Sequence, residues 1–563
     1  VGTLFSTFNI AQSGLHAAQL QIEVAGHNIA NVNREGYSRQ RAELVGREPL
    51  LQPWGSLGRG VDVASVERLR MAFLDQVLRQ QAPGLGSAEI RASYFTRMEE
   101  LFQEPGEHGF GTQLASFFDA LNDFAGNVEA QPVRMSVISE AQNICAGLNT
   151  IAAQIYTLRT NANEEVQNMV PEINSIAERI AALNGRISEA ESGGGTVNDL
   201  RDERDLLLDQ LSSYVNINFR ERTNGQVDVL VGNDALVEGT FSRRLVAQRD
   251  PSLDPERVDL VRVQFADSGL ALNATSGKLY GALSVRDTDL VELAGRINRL
   301  ASTIISEVNA IHSSANGLDN WTKTETTQTV SSWLAPLNAA GLPFEVQPGT
   351  LDLVVYDSAG VATTHTITVS PTTTLSSFAT SISEAPHITS IMTGDGRLQI
   401  YAAPGYSFGF ANDETGALVA LGINGLFTGT DATNMAVNQD ILNNPRLLAS
   451  AYSTNALDTG DNSAALDLAN LRTSVVMDGT SSIGDYYETT IVRVGVDARA
   501  NEQTLRMQET FVNDFKRRRE EVSGVSIDEE VTNMLQFQRA YEASARVISV
   551  VDRMIEALLN AFA

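Results

Sequence analysis

Residues 4–29 read LFSTFNIAQSGLHAAQLQIEVAGHNI, and the spacing of their apolar side chains decides how the rest of the chain is read. Leu4, Phe8, Ala11, Leu15, Ala18, Ile22, Ala25 and Ile29 follow one another at alternating steps of four and three. One apolar residue every 3.5 positions draws a stripe along a helix, the spacing at which side chains insert between those of a facing helix. At the opposite end of the chain Ile527, Val531, Met534, Tyr541, Ala545, Ile548, Ile555, Leu559 and Phe562 keep the same rhythm, interrupted at Gln538 and Asp552. A second apolar row lies beside it: Phe537, Ala540, Val547, Val551, Met554 and Leu558.

Neither end helix is stable by itself. Burying the five large residues of the first stripe is worth roughly 2 kcal/mol each, about 10 kcal/mol in all. Ordering about twenty-five residues costs roughly 1–2 kcal/mol apiece, so entropy wins unless backbone hydrogen bonds and further partners contribute. Two arrangements satisfy the stripes: core helices of an ordinary globular domain, or two ends that meet across the whole chain. Stripes at both extreme ends favour the second. Because one partner helix cannot cover both C-terminal rows, surface is left for neighbouring copies.

Composition narrows the class. At 563 residues, 43% hydrophobic and 20% charged, the chain is long enough for several folded domains. A net charge of −28 and the lack of a basic patch argue against nucleic acid as a partner. The longest basic run, Lys516 to Arg519, is followed at once by Glu520 and Glu521, as on a solvated helix face. No window approaches twenty apolar residues, so no membrane insertion is expected, and no cleavable secretory signal is read. Cys145, the single cysteine, sits beside an apolar helical row and reads as a buried inert thiol. The six histidines show no metal-ligand spacing.

Along the chain, Asn31, Asn33 and Gly36 end the first helix before an extended stretch through Leu57. Helical pattern then runs from Val63 to Phe102 with a break at Ala82–Gly86, and a short helix follows near Gln113–Phe124. After Pro132 come two apolar rows, Ile144 to Leu158 and Val166 to Ile187, with Pro171 off the seam where it kinks or restarts the helix. Residues 198–215 form an amphipathic helix, and Asn224-Gly225 marks a hairpin. Residues 258–265 read as a strand, and Leu290 to Ile311 as a helix. From about 320 to 444 the composition turns to Thr, Ser, Gly and β-branched residues, an inserted β-rich region whose one helical stretch is 375–384. Tyr487 to Phe515 seam another long helix, Ser523-Gly524 breaks it, and Ser526 with Glu529 forms a capping box for the last one.

The helix and loop SGLHAAQLQIEVAGHNIANVNREGYSRQ resemble the N-terminal signature of bacterial flagellar rod, hook and hook-associated proteins. The signature loop is carried by Asn31, Asn33, Gly36 and Tyr37, with Arg34 and Glu35 where small residues or Pro are usual. Its Ser38-Arg39-Gln40 ending is most similar to the hook-associated branch. SGVSIDEEVTNMLQFQRAYEASARVISVVDRMIEAL resembles the C-terminal signature of the same axial proteins, and residues 198–215 and 458–472 resemble middle segments.

The expected fold is mainly α with β-rich parts, an α+β multidomain chain. Residues 1–35 and 526–563 make a terminal coiled coil, 36–319 and 445–525 a rod-like helical domain with β-hairpins at about 216–285, and 320–444 an outer β-rich domain. The resemblance implies a structural component joining hook to filament, its subunits stacking in a ring. Assembly would run through Leu4, Phe8, Leu15, Ile22, Ile29, Ile527, Val531, Met534, Tyr541, Ile548, Ile555 and Leu559. It implies as partners further copies of the chain, the hook protein, a second junction protein, filament proteins and an export chaperone. It also implies export, unfolded, through the flagellar type III channel to an extracellular appendage, with both ends of the free monomer frayed. A hook or distal-rod protein remains the alternative reading.

No nucleotide loop, HExxH, paired-Cys site or Gly-x-Ser-x-Gly is present, so neither cofactor nor catalysis is expected. The cluster Asp458, Asp461 and Asn462 lacks the Gly and terminal Glu of a calcium loop and reads as a helix-capping turn. An enzyme within 320–444 would have to use Asp352, Asp357, Asp395 and Asp413, which mostly neighbour turn residues, whereas the sparse charge and many Thr residues of that stretch permit an adhesive surface.

Overall fold

The computed structural model describes residues 2–52, 55–102, 104, 106, 109–254, 259–455 and 458–562. In chain order its helices are α1 (Gly2–Ala30), α2 (Ala72–Glu100), α3 (Phe110–Gly126), α4 (Gln131–Glu191), α5 (Asn198–Tyr214) and α6 (Lys278–Ser284). They continue with α7 (Leu290–Ser313), α8 (Leu375–Ser383), α9 (Ala417–Leu421), α10 (Gln439–Asn443), α11 (Ser463–Asn470), α12 (Ile483–Ser523) and α13 (Ile527–Phe562). Small antiparallel sheets fill the intervals, which makes the chain an α+β multidomain protein. Residues 1–93, 160–285 and 500–563 form one compact unit, and residues 94–159 with 286–499 form a second.

In the first unit a long ribbon follows α1. Strand β1 (Gln40–Gly46) pairs with β4 (Val61–Arg68), and β2 (Leu50–Gln52) with β3 (Gly55–Leu57) at the tip. The helical reading from Val63 is corrected here: Val61, Val63 and the residues after them alternate in the β1–β4 ladder, and helix begins only at Ala72. The break expected at Ala82–Gly86 is also absent, because α2 runs through it. Those small residues serve close packing instead. A Cβ on Gly86 would lie 2.3 Å from the Ser213 carbonyl oxygen. The two apolar rows of α4 belong to one helix of 61 residues, and the exposed Pro171 does not restart it.

The core of this unit is the second row of α4, Val166 to Ile187, packed on Leu207, Leu208 and Leu211 of α5 and on inward valines of the sheets. Those sheets are a four-stranded meander, Ile217–Glu221, Val227–Val231, Asp234–Glu238 and Phe241–Ser242, and the pair Leu245–Arg249 with Val261–Phe265. The first hairpin turns at Asn224-Gly225, where Gly225 has φ +79°. Residue 258 of the expected strand lies outside the described residues.

Asparagines on helix faces hold the strands in place. Asn174 of α4 donates to the Leu245 carbonyl at 2.8 Å and accepts from the Leu245 N–H at 2.8 Å. Asn184 treats Val227 in the same way, at 2.7 and 3.0 Å, and its second N–H reaches the Gly239 carbonyl at 2.7 Å. Asn163 holds the Asp259 carbonyl and the Val261 N–H, both at 2.9 Å. Each of these clamps meets the first residue of a strand, where a carboxamide supplies the donor and acceptor that a neighbouring strand would otherwise provide.

The second unit holds two three-stranded sheets. Gly349–Tyr356 lies between Ala362–Val369 and Ser407–Ala411, and Leu398–Ala402 between Lys323–Glu325 and Ile388–Met392. Residues 320–444 are stitched to α7 within this unit. Asn309 clamps Phe427 at 2.8 and 3.0 Å, and Asn424 Nδ2 donates to the Ser313 carbonyl at 3.0 Å. Cys145, on α4, is buried there, and burial pushes its thiol up to about 12.

His312 is fully buried on α7. Its Nδ1 faces the Asn424 carbonyl at 2.7 Å and its Nε2 accepts from the Ala449 N–H at 3.0 Å, an arrangement that needs the neutral ring protonated on Nδ1. Burial pulls its pKa down to about 4. Above about pH 6.5 the ring is neutral in both folded and unfolded chains. As pH falls towards 4 only the unfolded chain takes the proton, so stability is lost across that window, by about 3 kcal/mol in all. Denaturant titrations of the second unit between pH 7 and 4 should show this loss, and His312→Gln should flatten it.

Candidate assembly site in the paired terminal helices

The site is built from the two chain ends. Helices α1 and α13 pack antiparallel over their length. Asn28 meets Glu530, and a Cβ on Gly14 would lie 3.1 Å from Ser544 Oγ. These two contacts are two heptads apart on each helix, so the register holds at a 3.5-residue repeat. Ala11, Ala17, Ala18 and Ala25 are buried, and with Gly14 they let the helices approach closely.

The line of contact is displaced from the expected stripe. Met534, Ile548 and Ile555 turn towards α1 as expected, but Phe537, Ser544, Val551 and Leu558 complete the line with Glu530. Ile527, Val531 and Leu559 face outward at 49%, 37% and 67% exposure, and Tyr541 at 38%. On α1 the half-exposed Leu4, Phe8, Leu15, Ile22 and Ile29 flank the alanine line. The reason is a one-position choice between adjacent heptad lines. Gln538 and Asp552, which interrupted the expected stripe, are exposed because that line faces solvent. The Phe562 side chain lies outside the described residues. With α1 in place, Val547, Val550 and Met554 of α13 remain 41–49% exposed, an apolar flank running beside the packed line.

The signature loop ties this pair to the rest of the unit. Asn28 uses all four of its hydrogen-bonding positions: it donates to the Gln40 carbonyl and to Glu530 Oε2, and accepts from the Gln40 N–H and Tyr37 hydroxyl, at 2.8–2.9 Å. Tyr37 also meets His27 Nδ1 at 3.0 Å, and burial, then Asp199, raises its phenol well above the usual range. Asn31 donates to the His27 carbonyl at 2.9 Å, closing the last turn of α1. Gly36 has φ +78°, and a Cβ there would meet Leu206 at 3.0 Å. Asn33 is exposed. Glu529, expected to complete a capping box, receives Arg39 at 3.0 Å.

Behind the loop lies a network that sequence reading missed. Asp202, Asp205 and Asp209 share one face of α5 at spacings of three and four. The Ser38 N–H and hydroxyl donate to Asp202 at 2.9 and 2.8 Å. Arg68 bridges Asp202 and Asp205, both at 2.8 Å, and Arg70 joins Asp205 to Asp75. Arg79 reaches Asp209 at 2.7 Å and Arg519 of α12 reaches it at 2.6 Å. Burial pushes the Asp205 carboxyl up, but the guanidinium groups of Arg70, Arg79 and Arg68 outweigh it and hold the group well below the usual carboxylate range. The aspartate spacing on α5 was visible in the sequence; the arginines that meet it come from three distant segments.

Among the described residues no group of three His, Cys, Asp or Glu side chains is placed to hold a metal, and no helix is long and apolar enough to cross a membrane. Asp461 caps Ser453 and Ser463 N–H groups, each at 2.9 Å. Asp357 and Asp413 accept backbone N–H groups of their own turns, Asp352 accepts from Thr366 and Asn412, and Asp395 accepts from Thr393. Asp205→Asn should destabilise the first unit by about 3 kcal/mol, because three buried guanidinium groups lose a shared counter-charge. Amide exchange in α2 and α5 measures it. In the wild type this contribution is complete above about pH 4, the unfolded value, and fades as pH falls below it.

Comparison with known proteins places this architecture. Residues 95–325 match the helical domain of flagellar hook-associated protein FlgK, residues 8–37 a flagella basal body rod protein model, and residues 518–561 the C-terminal model of the basal body rod FlgEFG proteins. Flagellar hook-associated protein 1 of Bacillus subtilis is 26% identical over 99% of this chain and 98% of its own length. That of Salmonella typhimurium is 27% identical over 99% of both. The flagellar hook junction protein FlgK of Burkholderia pseudomallei shares the fold, with a TM-score of 0.51 at 17% identity over 80% of this chain and all of that one. Relatives named flagellar hook-associated protein 1 thus match this chain from end to end, and the FlgK helical-domain model matches its middle.

Proposed function

We propose that this chain is a structural subunit of the bacterial flagellum that joins hook to filament, and that copies of it assemble through the paired terminal helices. The observation that carries the assembly reading is the uncovered flank of α13. Val547, Val550 and Met554 stand exposed beside a packed line of the same helix. Covering three such side chains is worth several kcal/mol, at roughly 1–2 kcal/mol each. A neighbouring subunit is the partner that repeats this geometry around a ring.

The finer partners follow from the same reading: hook protein on one side, a second junction protein and the filament on the other, and a chaperone covering the terminal helices before assembly. Export through the flagellar type III route fits a chain whose single cysteine forms no disulfide. A rod or hook position is the second reading, favoured by the rod-type models at both ends. The helical-domain match over 95–325 and the end-to-end relatives favour the junction.

Leu15→Asp and Val550→Asp place a charge on partly exposed apolar flanks, one on each terminal helix. Both variants should keep the stability of the single chain within about 1 kcal/mol. Neither should restore hook–filament junctions, scored by swimming and electron microscopy in a strain lacking the protein. Normal junctions formed by either variant would contradict the assignment of that flank.

A further inference from the structure

The ribbon that follows the signature loop is poorly supported by its own contacts. Two antiparallel strands alone are marginal in water. At the tip Leu50, Leu51 and Leu57 are exposed, Leu51 at 83%. The root of β1 is held on one side by α5, through Ser38 to Asp202 and Gln40 to Asp199, and on the other by Asn28, whose carboxamide clamps both backbone groups of Gln40. Asn28 is oriented in turn by Glu530, the fourth residue of α13, which is 3% exposed. The other carboxylate oxygen of Glu530 takes Arg39 at 2.6 Å, and the Arg39 N–H bonds the Ser523 carbonyl at 2.9 Å. One side chain of α13 therefore engages the residue that clamps β1 and the residue immediately before β1.

We propose that α13 acts as an intramolecular ligand for the ribbon, with Glu530 as the positioning residue, so that docking of the C-terminal helix favours the ordered root of β1 over an open one. Undocking α13 leaves Asn28 without one acceptor and Arg39 without either carboxylate. The root of β1 then loses the geometry that both side chains impose. Docking and ribbon order become one linked equilibrium, in which each favours the other by the same factor. The linkage belongs to the single chain and holds whether or not copies assemble.

Hydrogen–deuterium exchange on the full-length chain tests it, in trimethylamine N-oxide sufficient to protect α13 in the wild type. In the wild type the amides of residues 41–46 and 527–537 should open together. Glu530→Ala should lower protection of 41–46 at least tenfold while α5 and strands 217–238 stay protected. Glu530→Gln, which keeps an acceptor for Asn28, should recover most of that loss. Val551→Ala weakens docking three heptads from Glu530 with the clamp intact, so it should lower protection of 527–537 and 41–46 by the same factor. The proposal is overturned if Glu530→Ala leaves 41–46 unchanged, or if Val551→Ala lowers protection of 527–537 and leaves 41–46 unchanged. Loss of protection throughout α5 in Glu530→Ala would overturn it too, since Glu530 would then be a general support.

Discussion

The constraint on which this structure depends is that a lone amphipathic helix does not stand in water. Each terminal helix must find a partner to offset the entropy of ordering it. They find each other, α1 against α13, by alternating small residues with large ones. Gly14 and the buried alanines of α1 bring the backbones close, and Phe537, Ile548, Val551 and Ile555 of α13 fill what remains. The pairing fixes more than the two helices. It brings Glu530 to Asn28, and Asn28 to the first residue of β1.

That clamp is one case of a device used in both units. Asn28, Asn163, Asn174, Asn184 and Asn309 each stand on a helix and hold the backbone at the first residue of a strand. A buried carboxamide costs free energy unless its donors and acceptor are met, and here a strand's unpaired N–H and C=O meet them. Helix and strand thereby specify each other's position without a large sheet. This suits a chain whose sheets are small and whose long helices carry most of the packing.

Much of this was legible in the sequence and some was not, for physical reasons. The terminal helices, the α4 core rows and the Asn224-Gly225 hairpin follow from apolar period and turn chemistry, which act locally. The line of contact between α1 and α13 was read one position away, because α13 is apolar on two adjacent heptad lines and period cannot choose between them. Gln538 and Asp552 were the clue to the outward line. Pro83 and Gly86 look like a break, yet α2 passes through both, and Gly86 lets the Ser213 carbonyl approach closely. The asparagine clamps and the arginine–aspartate network depend on partners far apart in sequence, such as Arg519 with Asp209. Only the aspartate spacing on α5 announced them.

The central claim is that the flank of α13 left open in the single chain is covered by other copies in the appendage. Met554 reports on it directly, being 49% exposed beside the packed line. Peroxide oxidation followed by peptide mass spectrometry, on the purified chain and on isolated hook–filament appendages, reads its accessibility in both settings. The account predicts that Met554 oxidises readily in the single chain and is protected in the appendage. Equal oxidation in the two would contradict it.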